Sequence, residues 1–280
     1  VETDGAVTVS ASAEVSGDTY TAAGGAAGAV GVGAGAGVYV MNTTTEARIG
    51  DFARVGNSLT GGDVSVTATD LSRLLSVAGA AGIGGTAGAG AGVAVGAITK
   101  TTSATIGRNA DVRGGNVIVA ARSDEDFDAI TAAVGVGGKA GLAGAVTVLS
   151  VTTTTTALVD ANARVHADGN VAVTADGRTV VDMIEGAFGG GTAGVGASVG
   201  VAVIGATRLA RIGDGAQVTA LGNRAARSYT TGYTAQFAAY GANEGFTAAN
   251  FDASEADVLT DADTVAARNA GLTLLTQRRQ

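Results

Sequence analysis

The sequence predicts an all-β repeat protein, a β-solenoid-like stack of about four units of 53 to 57 residues with Gly/Ala-rich hairpins. Three observations predict this fold. A nine-residue pattern recurs at a nearly constant spacing, an alternating run of apolar and small polar residues accompanies it, and a glycine-rich tract has a fixed place in each unit. Self-similarity at a period of this size is typical of stacked repeat architectures.

The recurring pattern is A-x-[IV]-[GD]-x-x-A-x-V, and its four copies begin at Ala47, Ala104, Ala157 and Ala210, which are 57, 53 and 53 residues apart. The longer first spacing arises between Val55 and Val64, where residues 57–60 have the composition of a longer turn. We therefore expect repeat boundaries at about 4–61, 62–114, 115–167 and 168–221. Residues 222–280 would then form a degenerate fifth unit, a cap or an intersubunit contact segment.

The alternating run begins each unit after a turn, as in G-G-D-V-S-V-T-A at 61–68 and G-G-N-V-I-V-A-A at 114–121. Alternation with period two, bounded by Gly, Asp and Asn, indicates a β-strand and lacks the period of a helix. The units are therefore predicted to be stacked β elements.

The Gly/Ala tract follows about 20 residues after the start of each unit, with turn sequences such as G-G-T-A-G at 84–88 and G-G-K-A-G at 137–141. A tight turn between alternating arms predicts a long hairpin. On the returning arm the valines Val38, Val95, Val148 and Val201 alternate with small residues. One face of that strand is therefore nearly bare, and we expect neighbouring sheets to approach more closely than the usual ~10 Å.

Composition excludes several classes of protein. The chain has 46% hydrophobic residues, 15% charged residues and a net charge of −8, with no cysteine and a single histidine, His166. A disulfide framework and thiolate metal sites are excluded, and the acidic balance argues against a nucleic-acid partner. The chain begins at Val1 without a basic segment and apolar stretch, so we expect a mature or excised segment.

Threonine forms the most regular candidate site. Thr44, Thr101, Thr154 and Thr207 each lie three residues before the first alanine of the repeated pattern, so stacking would align them in a ladder. One interpretation is a ladder that only reflects the β-propensity of threonine. The other is a hydroxyl array that binds ice or a glycan.

Acidic residues form the candidate metal site, with Asp124, Asp126 and Asp128 spaced two residues apart. Such carboxylates can supply the hard oxygen ligands that calcium prefers. The alternative is a solvent-facing acidic edge that hinders aggregation. Apart from calcium, no cofactor is expected. No set of residues with catalytic chemistry recurs, so we do not expect an enzyme.

Aromatic residues are concentrated after residue 221. We expect Tyr229, Tyr233, Phe237 and Tyr240 to supply an intersubunit contact, because tyrosine and phenylalanine are common interface anchors.

The succession of A-x-I-x-x-x-A-x-V, G-x-V-x-V-x-A and a Gly/Ala hairpin over residues 4 to about 221 resembles the repeat arrays of bacterial filamentous adhesins. These include leukotoxin-like filamentous adhesins and, more distantly, haemagglutinin-type and autotransporter passenger proteins. The resemblance implies a secreted β-solenoid at the bacterial cell surface or in the extracellular space. Its implied partners are further copies or repeats of the same array and a host or surface receptor, either glycan or protein.

The resulting functional expectation is a non-enzymatic structural segment of a surface adhesin or extracellular filament, which mediates attachment or forms fibres. Two alternatives remain open from the sequence. One is a glycan-binding or ice-binding solenoid that uses the threonine ladder, and the other is a membrane-inserting β-hairpin protein.

Overall fold

The computed structural model describes residues 3–56 and 61–224, and within these ranges all regular secondary structure is β-strand. The predicted β-solenoid-like fold is confirmed. The strands are β1 (Val7–Ala27), β2 (Val30–Ile49), β3 (Arg54–Val55), β4 (Val64–Gly84), β5 (Ala87–Ile106), β6 (Asp111–Gly114), β7 (Val117–Gly137), β8 (Ala140–Val159), β9 (Arg164–Ala167), β10 (Val171–Gly190), β11 (Ala193–Ile212) and β12 (Gln217–Ala220).

Three consecutive strands form one coil, so that coils 1 to 4 are β1–β3, β4–β6, β7–β9 and β10–β12. Each coil contains two long strands and one short strand. Equivalent strands stack into three sheets, which we call sheet A (β1-β4-β7-β10), sheet B (β2-β5-β8-β11) and sheet C (β3-β6-β9-β12). Every pairing within these sheets is parallel, so the chain advances by one strand spacing, about 4.8 Å, per coil.

The Gly/Ala-rich hairpin lies within each coil as an arch between two sheets. β1 pairs with β4, and β2 pairs with β5, so the two arms of the arch hydrogen-bond to the next coil. They face each other across the interior instead of sharing a ladder. This arrangement buries one side of each arm against the other and leaves the opposite side on the outer surface.

The register of the sheets follows the sequence repeat. Ala47 aligns with Ala104, then with Ala157 and Ala210, along sheet B. A slip by one residue would turn the buried side chains of a strand outward, so the alternation itself specifies the pairing.

Side-chain size decreases along the interior from sheet C towards the arch. The widest part, beside sheet C, holds a cluster of buried valine, isoleucine and alanine that includes Val66, Ile106, Val112, Val119 and Val165. A second cluster contains Ile98, Phe127, Leu149 and Val151. Nearer the arch only Ala133, Ala143 and Ala145 remain as a buried cluster. Sheets A and B therefore converge towards the arch.

Glycine permits the closest approach between the two sheets. A Cβ atom placed on Gly33 of β2 would lie 2.1 Å from the carbonyl oxygen of Ala81, and one on Gly90 of β5 would lie 2.2 Å from that of Val134. Both oxygens belong to sheet A. The prediction that a bare face allows close packing is thus confirmed, and that face points into the solenoid.

The turn between sheets B and C contains a left-handed residue in every coil. Phe52, Asn109, Asn162 and Gly215 occupy equivalent positions, with φ angles of 60°, 53°, 56° and 70°. Glycine and asparagine adopt this conformation most readily, whereas a bulky residue such as Phe52 is strained there.

An amide ladder runs along the corner where sheet A begins. Asn116 donates both its backbone N–H and its Nδ2–H to Asp63 Oδ1, each at 2.9 Å. Asn170 donates the same two groups to Asn116 Oδ1, at 3.0 and 3.2 Å. The Asp or Asn that follows glycine at the start of the second, third and fourth units therefore links coils 2, 3 and 4.

Candidate functional site

The predicted threonine ladder lies on the outer surface of sheet B. Thr44 pairs with Thr101, Thr101 with Thr154, and Thr154 with Thr207. All four side chains are exposed or half-exposed. Neighbouring outward positions on β5 and β8 also carry hydroxyl groups, namely Thr99, Ser103, Thr105, Ser150, Thr152 and Thr156. The surface is a two-dimensional hydroxyl array, about 4.8 Å between coils and about 6.6 Å along each strand.

The acidic run lies on the outer surface of sheet A. Asp124, Asp126 and Asp128 occupy successive outward positions of β7 and are therefore spread over about 13 Å of strand. Asp124 lies 3.7 Å from Arg122 and 3.8 Å from Arg178. In the described part of the chain no group of three acidic or histidine side chains could hold a metal ion. The calcium expectation is therefore not supported, because an extended strand keeps these carboxylates apart.

Desolvation raises the pKa of Asp128, and the negative charges of Asp126 and Asp182 raise it further. Next to this acidic strip, Glu14, Leu71, Arg73, Asp126 and Arg178 help to line a depression of about 160 Å³. Both signs of charge meet there, so the depression has no uniform electrostatic preference for one type of ligand.

The valines of the returning arm form an apolar strip on the outside of sheet B, near the arch. Val38 is 67% exposed and Val201 is 43% exposed, and Val148 is 38% exposed. Exposed Val32, Val40, Leu142, Val146, Val195, Val199 and Val203 belong to the same strip. Contiguous exposed apolar surface of this kind is typical of contact sites.

The first and last described coils leave long strand edges open. Among the described residues β10 pairs only with β7, and β11 pairs only with β8. Every residue of β11 is exposed, including Ile204 and Ile212, which point inward and are each 50% exposed. In the same described ranges, β1 pairs only with β4 and β2 only with β5 at the other end.

Comparison with known proteins finds no relative of this chain. No family model, no curated protein and no solved structure matches this chain. In the described part of the chain, the structure contains no helix with the length and apolar character that a membrane crossing requires.

A buried polar layer lies between sheets A and B, and sequence reasoning did not single it out. Its central residue is Lys100 on β5, which contacts Asp70 on β4 and Glu125 on β7. Two hydroxyl pairs, Ser123 with Thr155 at 2.8 Å and Thr131 with Thr147 at 2.7 Å, also join the sheets. The signal in the sequence is positional: Lys100 and Asp70 fall on the same inward parity as the buried alanines and valines of their strands.

The single histidine lies on sheet C. His166 is on β9, between Arg113 and Thr219 of the adjacent coils. Asp168 accepts hydrogen bonds from Asn223 and Arg224, and these contacts lower its pKa. Tyr229, Tyr233, Phe237 and Tyr240 lie outside the described residues, and the intersubunit contact stays a prediction.

Proposed function

We propose that this chain is a non-enzymatic structural segment of a secreted bacterial surface adhesin or extracellular filament, which mediates attachment or forms fibres. The observation that carries the proposal is that, among the described residues, β1 and β2 at one end and β10 and β11 at the other are each paired along one edge only. Unprotected edges of this length favour pairing with another strand. The repeat pattern and its resemblance to filamentous adhesin arrays point in the same direction.

The composition of each row supports continuation of the stack. Val7, Val64, Val117 and Val171 form one inward row of sheet A. In sheet B, Gly33 and Gly196 occupy equivalent inward positions, as do Ile49 and Ile212. A further coil in the same register, whether from a longer array or from a second copy, would thus meet side chains like its own.

Electron microscopy of the purified chain over a range of concentrations tests the filament version. We expect rods or fibres that grow in length with concentration, and a population of compact monomers at every concentration would contradict the proposal. Ile204→Glu places a charge inside the open end of β11 and should prevent growth, because burying an unpaired charge is unfavourable. Val203→Glu changes the adjacent outward residue and is the matched control, and fibres lost equally in both variants would contradict growth through the strand edges.

A second candidate function, binding of a glycan or of ice, is supported by the in-register threonine array on sheet B. Replacing Thr101 and Thr154 together by tyrosine would interrupt the array at its centre. We expect loss of glycan binding on an array of immobilised glycans, or loss of ice-recrystallisation inhibition. Thr67→Tyr, an outward change on sheet A, serves as the control, and binding that survives the double substitution would eliminate this candidate.

A further inference from the structure

Lys100 lies in a buried layer between sheets A and B. Its side chain is 1% exposed, and those of Asp70 and Glu125 are both fully buried. Lys100 Nζ is 2.6 Å from Asp70 Oδ1, 2.6 Å from Ser72 Oγ and 3.4 Å from Glu125 Oε1. An amine is therefore held against one carboxyl group while a second carboxyl group lies beside it.

The charges of these three side chains do not balance. One lysine faces two carboxyl groups, and a dry interior strongly disfavours a net charge. Glu125 Oε1 is buried and makes no hydrogen bond, although it lies near the lysine nitrogen. A neutral cluster contains one more proton than the fully ionised side chains. Such a neutral cluster can be an ammonium group with one carboxylate and one carboxylic acid. Moving the ammonium proton to the carboxylate gives a neutral amine between two carboxylic acids, with the same number of protons.

We propose that Lys100 and Asp70 condense spontaneously into an amide cross-link, with Glu125 relaying the protons. The neutral lysine nitrogen attacks Asp70 Cγ, so that a C–N bond forms and the Cγ–Oδ1 bond breaks. Oδ1 leaves as water with the hydroxyl proton of Asp70 and one further proton. Glu125 delivers that further proton and recovers one from the nitrogen, so it ends as it began and no other reactant is consumed.

Neighbouring hydroxyl groups suit the different roles of the two Asp70 oxygens, one of which stays in the amide while the other leaves as water. Thr45 Oγ1 donates a hydrogen bond to Asp70 Oδ2 at 2.9 Å, and this oxygen becomes the amide carbonyl. A donor at this position stabilises the negative charge that develops on the oxygen during attack. Asp70 Oδ1, the leaving oxygen, lies beside Lys100 Nζ and Ser72 Oγ.

Glu125 is held in place by coil 4. Thr179 Oγ1 donates a hydrogen bond to Glu125 Oε2 at 2.8 Å, which leaves Oε1 directed at the lysine side. The reacting groups are thus positioned by folding itself, and such positioning is the main source of rate in intramolecular condensations. The bond would join β4 of sheet A to β5 of sheet B within coil 2, and this inference does not depend on the proposed function.

Intact mass spectrometry of the folded full chain, measured after denaturation, tests the cross-link. We expect a mass lower than the sequence mass by one water molecule. After trypsin digestion, residues 55–73 should remain joined to residues 74–108, because trypsin does not cleave after an amidated Lys100. Lys139, the other lysine of the chain, should be cleaved normally. A folded chain of full mass would overturn the proposal, as would a water loss confined to the unjoined 55–73 peptide.

Single-residue variants test the role of each side chain in the proposed condensation. Glu125→Gln keeps the size of the side chain but cannot relay protons, so we expect full mass together with a retained β-sheet circular dichroism spectrum. Lys139→Met should lose one water molecule as the unaltered chain does. Water loss in Glu125→Gln at the unaltered rate would overturn the role of Glu125, and a joined peptide in Lys100→Met would overturn the role of that lysine.

Discussion

At the scale of single residues, the repeated turn before sheet C shows where the chain departs from its own pattern. Asn109, Asn162 and Gly215 suit the left-handed conformation that this turn requires, and Phe52 does not. Phe52 is also 74% exposed, so its ring gains little from burial. Burial of the ring therefore offsets little of the strain at this position.

Phe52→Asn should therefore stabilise the protein, by about 1 kcal/mol given the usual cost of a left-handed non-glycine residue. Chemical denaturation with urea would measure this as a higher midpoint. The reciprocal change Asn109→Phe should lower the midpoint by a similar amount. A lower midpoint for Phe52→Asn would contradict the strain argument.

Asp128 is the residue for which pH dependence can be predicted. Its pKa is raised by desolvation, Asp126 and Asp182, so the folded state binds its proton more readily than the unfolded chain does. A raised pKa favours folding when the group is protonated, at acidic pH, and this contribution disappears as pH rises through the folded-state pKa.

Asp128→Asn removes the charge at all pH values, so it should raise the melting temperature at pH 7 and change it little near pH 3. The melting temperature measured by circular dichroism at both values checks this. Asp214→Asn, which removes a carboxylate paired with Arg211, should not stabilise at pH 7 and is the control. An equal gain for Asp128→Asn at both pH values would show that charge repulsion is not the cause.

At the scale of the elements, the convergence of sheets A and B depends on missing side chains. Near the arch, inward glycines of sheet B contact backbone carbonyls of sheet A directly. Backbone atoms cannot move aside as the end of a flexible side chain can. Side-chain volume is therefore most restricted near the arch, where sheets A and B are closest together.

Gly90→Val should destabilise the protein by about 1–3 kcal/mol, the usual cost of overpacking, because its Cβ would meet Val134 O at 2.2 Å. Gly144→Val is the matched control. Gly144 lies outward on β8, and a Cβ there has nothing within 4 Å. Urea denaturation of both variants compares them, and equal losses would mean that glycine is needed for the strand itself and not for sheet contact.

Strand positions and stacking could be predicted from the sequence because alternation identifies the two faces of a strand and the repeat identifies its neighbour. The partner of each arm at the arch could not be predicted, since alternation specifies where side chains point but not which backbone a strand bonds. The Lys100 cluster is a similar case. Its members lie on three strands, and only the register of the coils brings Asp70, Lys100 and Glu125 together.

At the scale of the whole molecule, each coil contacts its neighbours through the same rows. Among the described residues, sheet pairing joins only successive coils. Stability in such arrays is approximately a sum of unit and nearest-neighbour terms. The coils should therefore be separable units of the fold.

Deletion of residues 117–169 removes one complete coil and joins Asn116 to Asn170, which already hydrogen-bond to each other. We expect a shorter solenoid that keeps its β-sheet circular dichroism spectrum and unfolds at a lower temperature. A deletion of equal length, residues 91–143, removes parts of two coils, and both cuts lie inside long strands. The cut strands still join at equivalent positions, so this variant should fold like the first one. A deletion of 91–142, one residue shorter, shifts the rest of β8 by one position and turns its inward side chains outward, so it should not fold. Equal behaviour of all three variants would contradict the modular arrangement.

The direction of the backbone hydrogen bonds determines how this molecule would respond to tension. In all three sheets these bonds run along the axis on which the coils stack, so a pull along that axis loads the interfaces between coils in series. Each interface holds two long rows and one short row of bonds that share the strain. Rupture would begin at the weakest interface and release whole coils one at a time, so the extension would proceed in uniform steps.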